Sequence, residues 1–136
     1  MENKFKNISK VIYSHLKKDE LLTLSFTGEE SQFIRLNNAK IRQTGLVNDA
    51  DSHMKMIANG RTCTGSFTLS GNDDIDAKRA RLEIERLRLE STQVLEDPYL
   101  IIPKGSGSSR EIKKSNGLNF EDAVDAILPA IQGVDF

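Results

Sequence analysis

The sequence predicts an α+β domain of two layers, in which a curved antiparallel β-meander packs against an N-terminal helix and a second, longer helix. Three observations lead to this fold class. Apolar residues recur at helical spacing near the N-terminus, alternate with polar residues between positions 21 and 69, and return to helical spacing after Gly71. Clusters of turn-forming residues separate the alternating segments, as expected for consecutive antiparallel strands.

The composition is typical of one soluble domain of 136 residues, with 38% hydrophobic residues, 29% charged residues and a net charge of -1. No apolar run approaches the roughly 20 residues that span a bilayer, and the first residues lack the apolar core of a signal peptide. The single cysteine, Cys63, fits a reducing cytoplasm. Balanced charge and few aromatic residues disfavour nucleic-acid binding. We therefore expect a cytoplasmic protein without a membrane partner.

The first predicted element is a helix over residues 4–18. Lys17 and Lys18 place positive charge at its end, where the helix dipole favours cations. The apolar residues at helical spacing are Phe5, Ile8, Val11, Ile12 and Leu16.

Five short strands are predicted next. The segments TGEES and NDAD, together with Asn37-Asn38 and Asn59-Gly60, supply the turns between them. The predicted strands are 21–26, 32–36, 40–47, 52–58 and 61–69.

Asn59-Gly60 is the strongest hairpin signal, because both residue types accept the positive φ of a type I′ turn. It predicts that Met54–Ala58 pairs with Thr62–Ser66, with position 53 near 66 and position 63 near 56. Alternation then directs one set of side chains towards the core, with Phe67 under the long helix. That set is Cys63, Gly65, Phe67 and Leu69.

The long helix is predicted to begin at a cap supplied by Asp73 or Asp74 and to end near Val94. One narrow stripe of small and aliphatic residues suits packing on a sheet: Ala77, Ala80, Ile84, Leu87, Ser91 and Val94. A second row recurs every seven residues on roughly the opposite side, and we interpret it as a candidate interface with a second copy or a further domain. It consists of Ile75, Leu82 and Leu89.

The rest of the chain is less regular. Pro98 and Pro103 flank an apolar extended run, residues 105–118 form a flexible loop by composition, and Pro129 should end or kink a helix that Asn119 caps. The apolar face of that helix is Phe120, Ala123, Val124, Ile127, Leu128 and Ile131. The predicted organisation is a domain over 1–104, a loop over 105–118, and a helix over 119–136 that leads to a region absent from this chain.

No residue is assigned a catalytic, cofactor-binding or metal-binding role. His15 has no partner at metal-ligand spacing, and His53 and Cys63 are not directly opposite in the predicted hairpin. The loop from Lys104 to Arg110 could cradle an anion, but it lacks the phosphate-loop spacing, which favours a linker. The acidic residues Glu121, Asp122 and Asp125 suit the start of a helix.

The order of elements, with the stretches RLNNAKIRQTG, MIANGRTCTGSFT and EDPYLIIP, resembles the N-terminal domain of the TldD/PmbA family, also called modulators of DNA gyrase. The likeness covers roughly residues 8 to 104. The strand Ser52–Met56 departs from the family pattern, which often has small glycines and an arginine there.

The resemblance implies a role in cytoplasmic peptide proteolysis, as a homodimer or heterodimer that acts on a peptide substrate. The domain would shape a substrate chamber and support dimerisation. The family's zinc motif, H-E-x-x-x-H, belongs to a later domain, so zinc is expected only there and the chain itself carries no catalytic residue. The alternative is a stand-alone protein-interaction module without a proteolytic role. Gyrase modulation is a third interpretation, which the balanced charge disfavours.

Overall fold

The structure, a computed structural model, describes residues 2–114 and 117–134. Within them the chain forms three helices and one three-stranded sheet. The elements in chain order are α1 (Glu2–Ser14), β1 (Glu20–Asn37), β2 (Lys40–Ala58), β3 (Arg61–Thr68), α2 (Asp73–Ser91) and α3 (Ala123–Ile131). The α+β class is confirmed, and the first helix lies slightly earlier than the predicted 4–18.

The hairpin between β2 and β3 forms as predicted. Asn59 and Gly60 have φ angles of 51° and 70°, the left-handed values that a type I′ turn requires. In the antiparallel register, His53 lies opposite Ser66 and Met56 lies opposite Cys63. The sheet order is β1-β2-β3, so β3 is an edge strand.

The prediction of five strands is wrong, because the structure has three strands in its described residues and two of them are long. The segments TGEES and NDAD, expected to be turns, continue β1 and β2 as extended chain. Residues 27–30 and 48–49 are all exposed. Their Thr, Gly, Glu, Asn and Asp content therefore reflects the solvent exposure of a long hairpin rather than a reversal of the chain.

The turn between β1 and β2 is shifted by one residue from the prediction. Asn37 still belongs to β1, and the two left-handed positions are Asn38 and Ala39, with φ angles of 49° and 52°. Alanine seldom adopts this conformation, which is why the sequence pointed to the Asn pair instead.

The chain divides into two compact units, the first formed by Met1–Glu29 and Asn48–Ile102. In this unit α1 and α2 cover one face of the sheet, and both helices contribute to a single core. Phe67 packs against that core, as predicted, and Phe5 stacks on Phe26 with ring centroids 5.1 Å apart. The core consists of Ile8, Ile12, Met54, Met56, Cys63, Leu69, Ala80, Ile84 and Leu87.

The N-cap of helix α2 lies one residue before the predicted caps. The side chain of Asn72, rather than Asp73 or Asp74, accepts hydrogen bonds from backbone N–H groups in the first turn. The helix ends at Ser91, before the expected Val94. Most of the small and aliphatic residues that were predicted to pack on the sheet are buried. Asp76 is buried as well, although the apolar pattern did not include it.

The second unit comprises Glu30–Val47 and Pro103–Phe136. In it the Arg35 guanidinium lies over the Phe33 ring, 5.1 Å from its centroid, and Phe33 also occupies the space above Gly45. The N-cap of helix α3 is Asp122, three residues later than the cap predicted at Asn119, and the helix contains Pro129 two residues before its end. None of its described apolar residues is fully buried. Positions 115–116 of the predicted loop over 105–118 and positions 135–136 of the predicted helix over 119–136 lie outside the described residues.

Candidate interaction surface

The most distinctive surface of the first unit is a row of aliphatic side chains on the solvent side of α2. Ile75, Leu82 and Leu89, hereafter the α2 stripe, have exposed fractions of 46%, 56% and 65%. Their seven-residue spacing keeps them in line along the helix, away from the buried row that contains Ala80 and Ile84. Burying one fully exposed aliphatic side chain contributes roughly 1.5–3 kcal/mol, and the exposed parts of these three side chains together amount to a little under two such side chains.

The N-terminus of α2 is held by two polar clamps. Asn72 Oδ1 accepts hydrogen bonds from the backbone N–H groups of Asp74 and Ile75, at 3.1 and 3.2 Å. The buried Asp76 carboxylate accepts from the Ser70 N–H and Oγ, both at 2.8 Å, and from the Gly71 N–H at 3.0 Å. The turn between β3 and α2 is therefore fixed by charge-assisted hydrogen bonds, which are among the stronger ones in proteins.

The C-terminal half of α2 is joined to β1 by a half-buried ion pair. Arg88 donates to both oxygens of Glu20, at 2.5 and 2.8 Å, and also to the carbonyl of His15. The hydrogen bond from Arg88 lowers the pKa of Glu20, and the bond from the Lys17 N–H adds to this effect. The same bond raises the pKa of Arg88. The pair thus stays charged and links α2 to β1.

Helix α2 also approaches β3 closely at Gly65. A Cβ added there would lie 1.9 Å from Glu83 Oε1 and 2.6 Å from Arg86 Nη2. Arg86 is paired with Glu83 and with Glu90, at 2.8 and 2.6 Å, and donates to the Thr64 carbonyl at 3.1 Å. The Glu83 hydrogen bond is the main cause that raises the pKa of Arg86. A side chain at position 65 would therefore displace the ends of the Glu83 and Arg86 side chains.

A second exposed apolar segment follows α2, and the sequence alone did not mark it as a surface. Leu95, Tyr99 and Ile101 are 88%, 87% and 86% exposed, although they belong to the compact first unit. The start of the segment is anchored, since the Asp97 N–H donates to the Gly60 carbonyl at 2.9 Å. In the sequence, only the flanking prolines indicated that this segment could be exposed, because proline disfavours both a helix and a central strand.

The uncovered face of the sheet is polar. Cross-strand pairs place His53 beside Ser66 and Lys55 beside Thr64, around a shallow depression of about 420 Å³ that Thr23 and Ser25 also line. Cys63 lies on the opposite, buried face, where burial first and the Glu90 charge second raise the pKa of its thiol. His53 and Cys63 are therefore separated by the sheet, in agreement with the register that the sequence predicted.

The remaining candidate residues are not brought together. His15 Nδ1 donates to the Val11 carbonyl at 2.8 Å, which uses one ring nitrogen at the end of α1. The side chains of Lys104 and Arg110 are exposed, and the space above the neighbouring Gly105 and Gly107 is empty to 4 Å. Glu121, Asp122 and Asp125 lie at or just before the start of α3.

Among the residues that the structure describes, no three His, Cys, Asp or Glu side chains gather closely enough to hold a metal ion. The residues present therefore do not fit the zinc site that the family resemblance associates with a later domain. Over the same residues, no helix is both long and apolar enough to cross a membrane.

Together, the fold and this surface define an α+β domain that presents an apolar helix face beside a polar sheet. Its architecture is similar to part of TldE from Thermococcus kodakarensis, with a TM-score of 0.68 and 14% identity over 94% of this chain and 28% of that one. It is also similar to a proposed modulator of a DNA gyrase from Thermotoga maritima, with a TM-score of 0.54 and 21% identity over 89% of this chain and 27% of that one.

The chain therefore has a TldD/PmbA-like fold, as the sequence resemblance predicted. It spans a little over a quarter of the length of both matched structures. No protein-family model matches the sequence. No curated protein matches it either.

Proposed function

We propose that the chain is the non-catalytic N-terminal domain of a TldD/PmbA-type protein that acts in peptide processing in the cytoplasm. Its contribution would be to support dimerisation and to form part of the wall of a substrate chamber. The observation that carries the proposal is the fold similarity to TldE across nearly the whole chain.

The α2 stripe is the surface that we assign to dimerisation or to a further domain. Three aliphatic residues in a line are more than the single exposed apolar side chains that any surface carries. The clamps at Asn72, Asp76 and Arg88 hold this helix in one orientation before a partner arrives. A preorganised surface loses less conformational entropy on binding, which favours a stable contact.

Modulation of DNA gyrase, which the description of the Thermotoga protein names, is not favoured for this chain. Direct binding to nucleic acid draws most of its affinity from clustered Lys and Arg. Here 19 basic residues are offset by 20 acidic ones, and several arginines of α2 are engaged with carboxylates or backbone carbonyls.

The first test is the reading frame downstream of codon 136. Continuation into H-E-x-x-x-H supports a catalytic subunit, continuation without that motif supports the non-catalytic partner, and a stop codon supports the stand-alone interaction module instead. The second test is sedimentation velocity of the full protein. Leu82→Glu with Leu89→Glu should reduce its oligomer size, because two charges cannot be buried cheaply in an apolar contact.

The matched control is Asn3→Glu with Ser25→Glu, which adds the same two charges at exposed positions of α1 and β1, outside the α2 stripe. This control should leave the oligomer size unchanged. If the stripe variant folds and its sedimentation equals that of the control, the α2 stripe does not form the contact between subunits, and the assignment to dimerisation is wrong.

A further inference from the structure

The free edge of β3 exposes a defined set of backbone groups. Arg61 pairs with Ala58 across the two-residue turn, and at the other end the Leu69 N–H donates to the Ala50 carbonyl at 2.7 Å. Hydrogen-bonded pairs alternate along an antiparallel ladder, so the odd-numbered residues of β3 form the backbone hydrogen bonds to β2. The N–H and C=O groups of the even-numbered residues point away from β2. These residues are Thr62, Thr64, Ser66 and Thr68, and no strand lies beyond them in the described part of the chain.

Two arginines of α2 reach this edge. Arg86 Nη2 donates to the Thr64 carbonyl at 3.1 Å, and Arg79 Nη1 donates to the Thr68 carbonyl at 2.9 Å. Arg79 and Arg86 are seven residues apart, which is about 10.5 Å along a helix, and Thr64 and Thr68 are four residues apart, which is about 13 Å along a strand. The two spacings are similar enough for the two side chains to reach the two outward carbonyls. The order is reversed along the two elements, which shows that α2 runs antiparallel to β3.

The arginine near the middle of the edge is held rigidly. Arg86 Nε and Nη2 both donate to Glu83, at 3.0 and 2.8 Å, while Nη1 donates to Glu90 at 2.6 Å. Gly65 leaves the space in which the Glu83–Arg86 pair lies. Between the two capped carbonyls, the outward backbone groups of Ser66 have no hydrogen-bond partner within residues 2–114 and 117–134.

We propose that the edge of β3 is a latent pairing surface for β3 of a second copy, and that Arg79 and Arg86 keep it closed. A β3–β3 pair about a twofold axis would be antiparallel and would use the same outward groups on both chains. Each arginine donates a hydrogen bond to a carbonyl that such a strand pair would use. Each also places a positive charge where the second strand would lie. Charged side chains are a known means of protecting sheet edges.

The test starts from the Leu82→Glu, Leu89→Glu chain, so that contacts through the α2 stripe do not contribute. In that chain, Arg79→Met with Arg86→Met should produce a dimer at a concentration at least about tenfold lower than the parent requires, as measured by sedimentation velocity. Hydrogen exchange at the Thr64 and Ser66 amides should slow as the concentration rises.

The matched control is Lys78→Met with Arg81→Met, which removes two cations and adds two methionines at exposed positions of the same helix. It should sediment like the parent. Adding Ser66→Pro to the Arg79, Arg86 double variant removes an outward N–H and should restore the monomer, because proline on an edge blocks pairing while the bonds to β2 remain.

The proposal is overturned if the folded double variant stays as monomeric as the control, or if Ser66→Pro fails to reverse its association. Far-UV circular dichroism establishes folding. Should the double variant unfold, Arg79→Met alone keeps the Glu83–Arg86 pair and is measured in the same way. It should show a smaller but concentration-dependent protection of the Ser66 amide, and unchanged protection would equally overturn the proposal.

Discussion

Arg88 of α2 donates hydrogen bonds to both carboxylate oxygens of Glu20 at the first residue of β1. The two residues are 68 positions apart in the chain, and Arg88 also bonds the carbonyl of His15 at the end of α1. One side chain thus ties the second helix to the first helix and to the first strand. Arg88 directly precedes Leu89, the last residue of the α2 stripe.

Arg88→Met should lower the free energy of unfolding by about 2–3 kcal/mol, since it leaves a buried carboxylate without its counter-ion. Glu20 is only 8% exposed at its side chain, whereas Arg88 is 22% exposed, which keeps the expected loss below that of a fully buried pair. Urea denaturation measures the effect. Arg81→Met, at an exposed position of the same helix, should change stability by no more than about 0.5 kcal/mol.

The Glu20–Arg88 pair also predicts a pH dependence. The pKa of Glu20 is lowered from its ordinary value of 4.5, chiefly by the hydrogen bond from Arg88. A group with a lowered pKa stabilises the fold above its unfolded pKa and loses that contribution as the pH falls through its folded pKa. The stability difference between the wild type and Glu20→Gln should therefore be constant near neutral pH and shrink below 4.5. A difference that grows towards acid would contradict this assignment.

Gly65→Ala should destabilise the chain by no more than about 1 kcal/mol, because the new methyl group would displace the ends of the partly exposed Glu83–Arg86 ion pair. The pair would have to move, and the hydrogen bond from Arg86 to the Thr64 carbonyl would be lost with it. Thermal unfolding measures the loss. Gly107→Ala is the control, because nothing lies within 4 Å of the position its methyl group would take.

Local signals in the sequence predicted local structure well. The Asn59-Gly60 turn and its register were correct, because both φ angles and the alternation of the two strands are properties of neighbouring residues. The inner row of α2, with Ile84 and Leu87, was correct for the same reason. The number of strands was wrong, since polar residues in the middle of a long exposed hairpin have the same composition as a turn.

The polar contacts that orient the candidate surface could not be predicted. Glu20 and Arg88 are ordinary surface residue types, and only the packed fold brings them together. Asp76 interrupts an apolar row, and its partners at Ser70 and Gly71 depend on the path of a turn. The α2 stripe was visible because it depends on periodicity alone, whereas the exposure of Tyr99 depends on how the chain leaves α2.

Asp76→Ala should cost about 2–3 kcal/mol of stability, because it leaves the Ser70 and Gly71 N–H groups without the acceptor that they share. Asp76→Asn should cost less, since its amide oxygen still accepts one of these bonds. Asp74→Ala, at an exposed position two residues earlier, is the control and should change stability by about 0.5 kcal/mol or less. Equal losses for the Asp74 and Asp76 variants would show that the clamp contributes nothing beyond the helix dipole.

The purified chain alone should hold no stoichiometric zinc and should cleave no peptide bond. A catalytic zinc needs about three protein ligands and one open position for water. The imidazole and thiolate donors lie apart: His15 bonds the Val11 carbonyl at the end of α1, His53 faces solvent on the outer side of the sheet, and Cys63 is buried on the inner side with a raised pKa. Elemental analysis of the metal-loaded and dialysed protein, with a peptidase assay before and after chelation, measures both properties. One equivalent of retained zinc together with cleavage that a chelator abolishes would show that the chain is a complete enzyme and that the proposed supporting role is wrong.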